Sequence, residues 1–237
     1  MRQILLLDLD HTLYPSTLPT LDAVDARITV YIKEKLGLEH EVADAMRRSL
    51  CDTYGTTLRG LETLHGVSRE EYTTYIQDLE DALMPPADAR LRAWLLAASH
   101  ARPTYLFTNA RRDWADRCLK HIGLSDLLVS EDPEVRASLA GILDIDFMEW
   151  IGKPDPGAFL KVERFLAERH PEPLSFVFAD DRLDNLDAAR DRGWRTLWVR
   201  PHTAAQGVEG AAVTAIAKAA GHRVLDTLLE LDPETLE

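Results

Sequence analysis

Cysteine is scarce in this sequence: Cys51 and Cys118 are the only two. Neither stands in CxxC spacing or beside a His at ligand spacing, so both read as packing residues in a reducing compartment. Basic charge is short as well. Lys and Arg number 27 against 40 Asp and Glu, giving a formal net charge of −13. No Lys/Arg block is dense enough to overcome that balance, which excludes a nucleic-acid polymer as the expected partner and leaves solubility as its role. Long apolar runs are absent. The opening MRQILLLDLD is interrupted by acids well short of a membrane span, and no small-residue cleavage site follows it. Neither a signal peptide nor a membrane association is expected, and the chain reads as cytoplasmic. Internal repeats and low-complexity tracts are also missing. What remains is an ordinary soluble composition, 46% hydrophobic and 28% charged over 237 residues. That length suffices for a core and a smaller insert without disulfides or a structural metal.

Along the chain, Gln3 to Asp10 is rich in Ile and Leu before turning acidic, which predicts a buried strand ending in polar groups. Tyr14-Pro15-Ser16 breaks it. From Leu21 to Met84 the apolar spacing of three and four predicts helices throughout, punctuated by Gly37, Gly55 and Gly66 and closed by Pro85-Pro86. The texture then changes. LRAWLLAASH, RDWADRCLKHIG, PGAFLKVERFLAER and LDAARDRG read as helices, and PTYLFTN, GILDIDF, LSFVFADD and RTLWVR as strands. The tail VLDTLLELDPETL is amphipathic and predicts a further helix, and residues 130–140 read as loop or short helix. Alternating strands and helices predict a doubly wound α/β core with a parallel sheet. The core would comprise residues 1–15 and 86–237, with residues 16–85 inserted as an all-helical cap after the first strand.

Open parallel sheets bind ligands beyond the carboxyl ends of their strands. Four polar groups fall there: Asp8-Leu9-Asp10-His11-Thr12, Thr108-Asn109, Gly152-Lys153-Pro154 and Asp180-Asp181. Taken singly, each has a structural reading as a solvated turn, a helix cap or a first-turn acid. Their conjunction is informative. Asp8, Asp10, Asp180 and Asp181 are costly neighbours unless a cation neutralises them. Magnesium prefers oxygen ligands and leaves places for phosphate. Thr108, the Asn109 amide and Lys153 supply donors and positive charge for phosphate oxygens. Such a set suits phosphoryl transfer, with one carboxylate as nucleophile and another as acid and base. Asp8 and Asp10 share a face if the strand stays regular to its end; a loop break at Leu9 or Asp10 would separate them.

The runs DLDHTL, LFTNA, GKPDP and FADDRLDN resemble the four motifs of the haloacid dehalogenase superfamily, and the resemblance covers nearly the whole chain. It implies a Rossmann-like core with a helical cap. It implies Asp8 as nucleophile, Asp10 as acid and base, Thr108 and Asn109 as phosphate holders, and Lys153 as the group stabilising nucleophile and phosphate. Asp8, the Asp10 carbonyl and Asp181 would bind Mg2+, with Asp180 assisting directly or through water. Asn185 would orient Lys153 or Asp180. Dehalogenases of the superfamily lack the second acid, so Asp10 implies phosphate chemistry on a small phosphorylated metabolite. DLDHTLYPS, YGTTLRGL and LFTNA further resemble the pyrimidine 5′-nucleotidase group, which implies a nucleoside monophosphate substrate. Tyr54, Thr56, Thr57 and Arg59 lie in the matching cap segment, where Arg59 either meets the substrate or stands as an exposed arginine. Arg182 replaces a frequent Ser, His11 replaces a common Asn, and residues 129–139 form a longer connection than is usual. The five tryptophans read as packing or partly exposed aromatics, and Tyr14 as a residue able to line the site.

The alternatives are a sugar-phosphate phosphatase or phosphomutase, a carbon–halogen hydrolase, and a non-catalytic protein that kept the fold. Retention of Asp8, Asp10 and Lys153 argues against the last. Hinges are expected near Tyr14–Thr17 and Met84–Ala87, where proline and loop residues flank the insert.

Overall fold

The apolar run after Arg2 forms the central strand of a six-stranded sheet whose strands are all parallel. The computed structural model describes residues 1–128, 139–202 and 207–237; most of the 129–139 and 130–140 expectations therefore lie outside the described residues. The strands are β1 (Arg2–Leu7), β2 (Thr104–Phe107), β3 (Gly141–Leu143), β4 (Leu174–Asp180), β5 (Arg195–Val199) and β6 (Arg223–Leu225), in spatial order β3-β2-β1-β4-β5-β6. This is the doubly wound, Rossmann-like order. Five helices alternate with them: α5 (Ala89–Ala101), α6 (Arg112–Ile122), α7 (Pro156–Arg169), α8 (Leu183–Arg190) and α9 (Gly207–Ala219).

Strand side chains alternate between faces. Ile4 and Leu6 join Phe107, Phe178, Trp194 and Trp198 in one core layer, to which α7 contributes Phe159, Val162 and Leu166 and α8 contributes Leu186 and Ala189. The aromatic rings meet edge to face, as at Phe107–Phe159 (5.3 Å), or stacked, as at Phe176–Trp194 (4.7 Å). Leu5 and Leu7 are equally buried and face the opposite side. Burial of each such side chain is worth roughly 1.5–3 kcal/mol, so the sheet's centre is the most strongly held part of this unit.

The chain divides into two compact units, Met1–Thr17 with Pro85–Glu237, and Leu18–Met84. The second contains α1 (Thr20–Leu36), α2 (His40–Tyr54), α3 (Thr57–His65) and α4 (Arg69–Gln77), and no strand among the described residues. The three glycines expected to end helices do so at positive φ: Gly37 at 66°, Gly55 at 81° and Gly66 at 64°. The Thr56 hydroxyl accepts the Arg59 amide at the start of α3. Tyr31 and Tyr72 pack edge to face at 5.3 Å within this unit.

Three expectations are corrected. GILDIDF is a strand only over Gly141–Leu143, because Asp144 turns the chain: its Oδ1 accepts the Phe147 amide at 2.7 Å. The tail is not a helix. Val224 and Leu225 pair with Trp198 and Val199 as edge strand β6, and a single 3-10 turn follows over Leu228–Glu230, closed by a Thr227–Glu230 capping box. Beyond it the Leu231 carbonyl accepts from the Trp94 indole at 2.8 Å, and Pro233 has no amide to continue a helix. Helix α9, by contrast, forms where no element was expected. Among the described residues no helix is long and apolar enough to cross a membrane. Both cysteines are unpaired, Cys118 buried and Cys51 partly so, in keeping with packing roles.

Candidate active site

From β1 the chain steps outward through β2 and β3, then returns to the other side of β1 for β4, β5 and β6. Strand order therefore reverses at the β1–β4 pair, the position where such sheets open a crevice. Leu7 is level with Ala179, and the Asp8 amide donates to the Ala179 carbonyl at 2.9 Å. Register alone thus brings Asp8 and Asp180 side by side.

Lys153 enters between them from the loop before α7. Its Nζ donates to Asp8 Oδ1 at 2.8 Å, to Asp180 Oδ2 at 2.7 Å and to the Phe107 carbonyl at 2.7 Å. All three protons of the ammonium are used. The side chain is 2% exposed, with the Phe107 and Phe178 rings each 5.0 Å from Nζ. Burial by itself would favour loss of the lysine proton; the Asp180 and Asp8 carboxylates outweigh it and hold the pKa above its ordinary value. Burial raises Asp8 well above the usual carboxylate range against the pull of Lys153, and Asp180, Asp181 and Asp10 raise it further. Burial raises Asp180 likewise, again opposed by Lys153.

The supporting contacts explain the remaining motif residues. Asn109 clamps the Lys153 main chain: its Nδ2 donates to the Lys153 carbonyl and its Oδ1 accepts the Lys153 amide, both at 2.8 Å. The Asn109 side-chain amide is therefore committed to placing the lysine, a use that strand-end position alone did not reveal. Thr108 is 1% exposed and its hydroxyl oxygen accepts the Ala110 amide at 3.0 Å. Asn185, expected to orient Lys153 or Asp180, serves Asp180: its Nδ2 lies 3.0 Å from both carboxylate oxygens, while the Arg182 amide donates to Asp180 Oδ1 at 2.8 Å.

Asp10 is not on a strand. β1 ends at Leu7, the Leu13 amide folds back to the Leu9 carbonyl at 3.0 Å, and His11 takes φ 59°. The loop break that sequence left open is the one that occurs. Asp10 Oδ1 accepts from the Tyr14 hydroxyl and from Trp114 Nε1, the latter at 3.0 Å. Burial raises the Asp10 pKa, and these two hydrogen bonds lower it in part. Trp114 thus has a polar role beyond packing. Its partner lies 104 positions away in the chain, which no local pattern signals. Trp198 likewise donates, to the Asp181 carbonyl at 2.8 Å.

Carboxylate oxygens of Asp8, Asp180 and Asp181 lie within 4.8 Å of one another. Asp181 Oδ2 is 3.6 Å from His11 Nδ1. The donor set is all oxygen, and three carboxylates against one ammonium leave two negative charges uncompensated, which fits a hard divalent cation. Asn185 Oδ1 and Thr12 Oγ1 are buried with no hydrogen-bond partner, so this region retains unused acceptor capacity.

Tyr54, Thr56, Thr57 and Arg59 belong to the helical unit. Thr56 caps α3, Thr57 Oγ1 donates to the Arg47 carbonyl at 3.2 Å, Tyr54 is partly buried and Arg59 is exposed. Both threonine hydroxyls thus have structural partners inside that unit.

Comparison with known proteins agrees with this architecture. "Phosphate metabolism protein 8" of Saccharomyces cerevisiae is 28% identical over 206 residues, covering 81% of this chain and 60% of that protein. The chain thus spans about 60% of the length of that curated relative. A haloacid dehalogenase-like hydrolase from Bacteroides fragilis superposes with a TM-score of 0.55 at 16% identity, over 97% of this chain and 99% of the other. The magnesium-bound HAD-hydrolase YfnB from Bacillus subtilis gives 0.51 at 15% identity, over 83% and 86%. At such identities these structures speak to the fold. A sequence model of the haloacid dehalogenase-like hydrolases matches residues 3–193, and on that match the chain belongs to this family of hydrolases.

Proposed function

We propose that this hydrolase is a magnesium-dependent phosphatase that cleaves a small phosphomonoester through an aspartyl phosphate on Asp8, with nucleoside 5′-monophosphates as its substrate class. The observation that carries the reading is the placement of the buried Lys153 ammonium between Asp8 and Asp180 while Asp10 is held separately by Tyr14 and Trp114. An Asp8 carboxylate oxygen attacks phosphorus as the bond to the leaving oxygen breaks, and the Asp10 carboxyl gives that oxygen its proton. Asp10, now a carboxylate, takes a proton from water; the water oxygen attacks the aspartyl phosphate, releasing inorganic phosphate and restoring Asp8. Lys153 balances charge on Asp8 throughout, and Thr108 and the Asn109 main chain are the phosphate-side donors in this reading. Asp8, Asp180, Asp181 and the Asp10 carbonyl are the oxygens that would hold Mg2+, which when bound supplies positive charge beside the phosphoryl oxygens.

The acid also argues against carbon–halogen hydrolysis. A departing halide needs no proton, whereas a departing alkoxide does, and Asp10 is anchored by two hydrogen bonds next to the nucleophile. The yeast relative is named for phosphate metabolism, in keeping with phosphate chemistry. The nucleotide preference rests on the resemblance of DLDHTLYPS, YGTTLRGL and LFTNA to pyrimidine 5′-nucleotidases.

The test is steady-state turnover of a phosphate-ester panel with magnesium present. Wild type is expected to release phosphate, fastest from pyrimidine nucleoside 5′-monophosphates, and Asp8→Asn to lose at least about 10³-fold in kcat. Undiminished turnover by Asp8→Asn would remove the nucleophile assignment; preference for hexose phosphates would remove the nucleotide. In this reading residues 1–15 and 86–237 carry the chemistry. Arg59→Ala, with Tyr54→Phe and Thr57→Val, asks through KM whether the cap, residues 16–85, contributes to substrate choice.

A further inference from the structure

We infer that Tyr14 and Trp114 are positioning residues that assign different duties to the two oxygens of Asp10, reserving Oδ2 for proton exchange with the leaving group and with water. The inference rests on the phosphatase reading above and deepens it. Both side chains are buried, Tyr14 at 4% and Trp114 at 5% exposure, and both address the same oxygen, Oδ1. They approach from unrelated places. Tyr14 follows Asp10 by four residues in the loop after β1, whereas Trp114 stands in the first turn of α6.

The chemistry of the donors makes the asymmetry meaningful. An indole N–H donates and cannot accept. A proton on Oδ1 would turn the Tyr14 hydroxyl from donor to acceptor and weaken the acceptor that Trp114 needs, whereas a proton on Oδ2 leaves both donors in place. Oδ1 is therefore the acceptor oxygen in both halves of the reaction. The transferable proton sits on Oδ2, leaves with the alcohol oxygen as the phosphorus–oxygen bond breaks, and is replaced there by one from the attacking water. Because Asp10 hangs from a loop containing a left-handed residue, His11 at φ 59°, and not from a hydrogen-bonded strand, the backbone alone does not fix its carboxyl plane. Two hydrogen bonds to one oxygen do. A general acid contributes about 10²–10⁴ in rate only when it lies within hydrogen-bond reach of the atom it protonates.

A residue that aims an acid can be separated from one that merely supports the fold by leaving-group dependence. kcat/KM covers only the steps up to departure of the alcohol. p-Nitrophenolate departs without a proton, whereas an alkoxide such as that of glycerol 2-phosphate requires one. Tyr14→Phe removes one oxygen atom, and Trp114→Phe keeps an aromatic ring in α6. Each is expected to lower kcat/KM for glycerol 2-phosphate by at least about tenfold more than for p-nitrophenyl phosphate, with the double variant further selective in the same direction. Equal losses on the two esters, or no loss, would overturn the inference while leaving the phosphatase reading intact, since wild type would still hydrolyse both and Asp8→Asn neither. Should Trp114→Phe fail to fold, Tyr14→Phe decides alone. A wild type that releases phosphate from neither ester nor from a nucleoside 5′-monophosphate, itself an alkoxide ester that can replace glycerol 2-phosphate in the comparison, would overturn the inference and the reading together.

Discussion

Gly152 sets how closely Asn109 can approach Lys153. A Cβ at this position would stand 3.0 Å from Asn109 Oδ1, 3.2 Å from its Cγ and 3.1 Å from Ile145 Cδ1. Asn109 has little freedom to yield, because both ends of its amide are bonded to the Lys153 main chain. Gly152→Ala is therefore expected to loosen the clamp and shift Nζ relative to Asp8, at a cost of about 1–3 kcal/mol in stability and at least tenfold in kcat. Denaturant unfolding and phosphate release measure the two; an unchanged kcat would show that Lys153 does not depend on this clamp. The same residues show what the sequence could and could not disclose. Asp8 and Asp180 were legible because they stand where a plain apolar strand ends, and the parallel register then sets them side by side; Lys153 was legible from its motif alone, since it stands in the loop before α7 and well past the end of β3. The tasks of Asn109 and Trp114 were not, because each depends on a partner distant in the chain and on side-chain direction. Asn109 meets Lys153 44 positions away, and Trp114 meets Asp10 across 104.

At the scale of elements, α2 and α3 meet through Gly60, the second glycine of YGTTLRGL. A Cβ at Gly60 would lie 2.7 Å from Leu50 Cδ2 and 3.0 Å from both Leu50 Cβ and Tyr54 Cδ2. The Leu50 methyl could swing aside, but its Cβ and the Tyr54 ring cannot follow without moving α2. Helix propensity favours alanine over glycine by about 1 kcal/mol, whereas overpacking costs about 1–3 kcal/mol. The second effect is expected to prevail, so Gly60→Ala should speed amide exchange in peptides spanning α2 and α3 while sparing the β1–β4 peptides. Slower exchange in α2 and α3 would show that propensity wins. The helices of this unit were legible because Gly37, Gly55 and Gly66 end them and their apolar spacing is regular. The tail was not. Leu225, Leu228 and Leu231 keep a helical spacing and are all buried, yet an open strand edge on β5 and the Trp94 indole offered their backbone better partners than a terminal helix would. Spacing records which side chains are buried, not which backbone groups lie within reach.

For the molecule as a whole, the acidic balance of −13 raises the question of where negative charge opposes folding. Self-repulsion spread over a surface is screened by any salt. Repulsion among Asp8, Asp180 and Asp181 is concentrated in a buried crevice whose sole bonded ammonium among the described residues is Lys153, and salt screens it poorly. A cation that binds the native crevice and not the unfolded chain stabilises by about 2.7 kcal/mol at a hundred times its Kd, or about 5–11 °C in Tm for a chain of this size. Magnesium is thus expected to raise Tm by that order over sodium chloride of equal ionic strength, and a chelator to reverse it. Asp181→Asn separates the two sources of charge. It should melt higher than wild type without metal, since one like charge has gone, yet gain little from magnesium. If both proteins respond alike to magnesium and to sodium chloride, screening of the general surface explains the effect, and the three carboxylates hold no divalent ion.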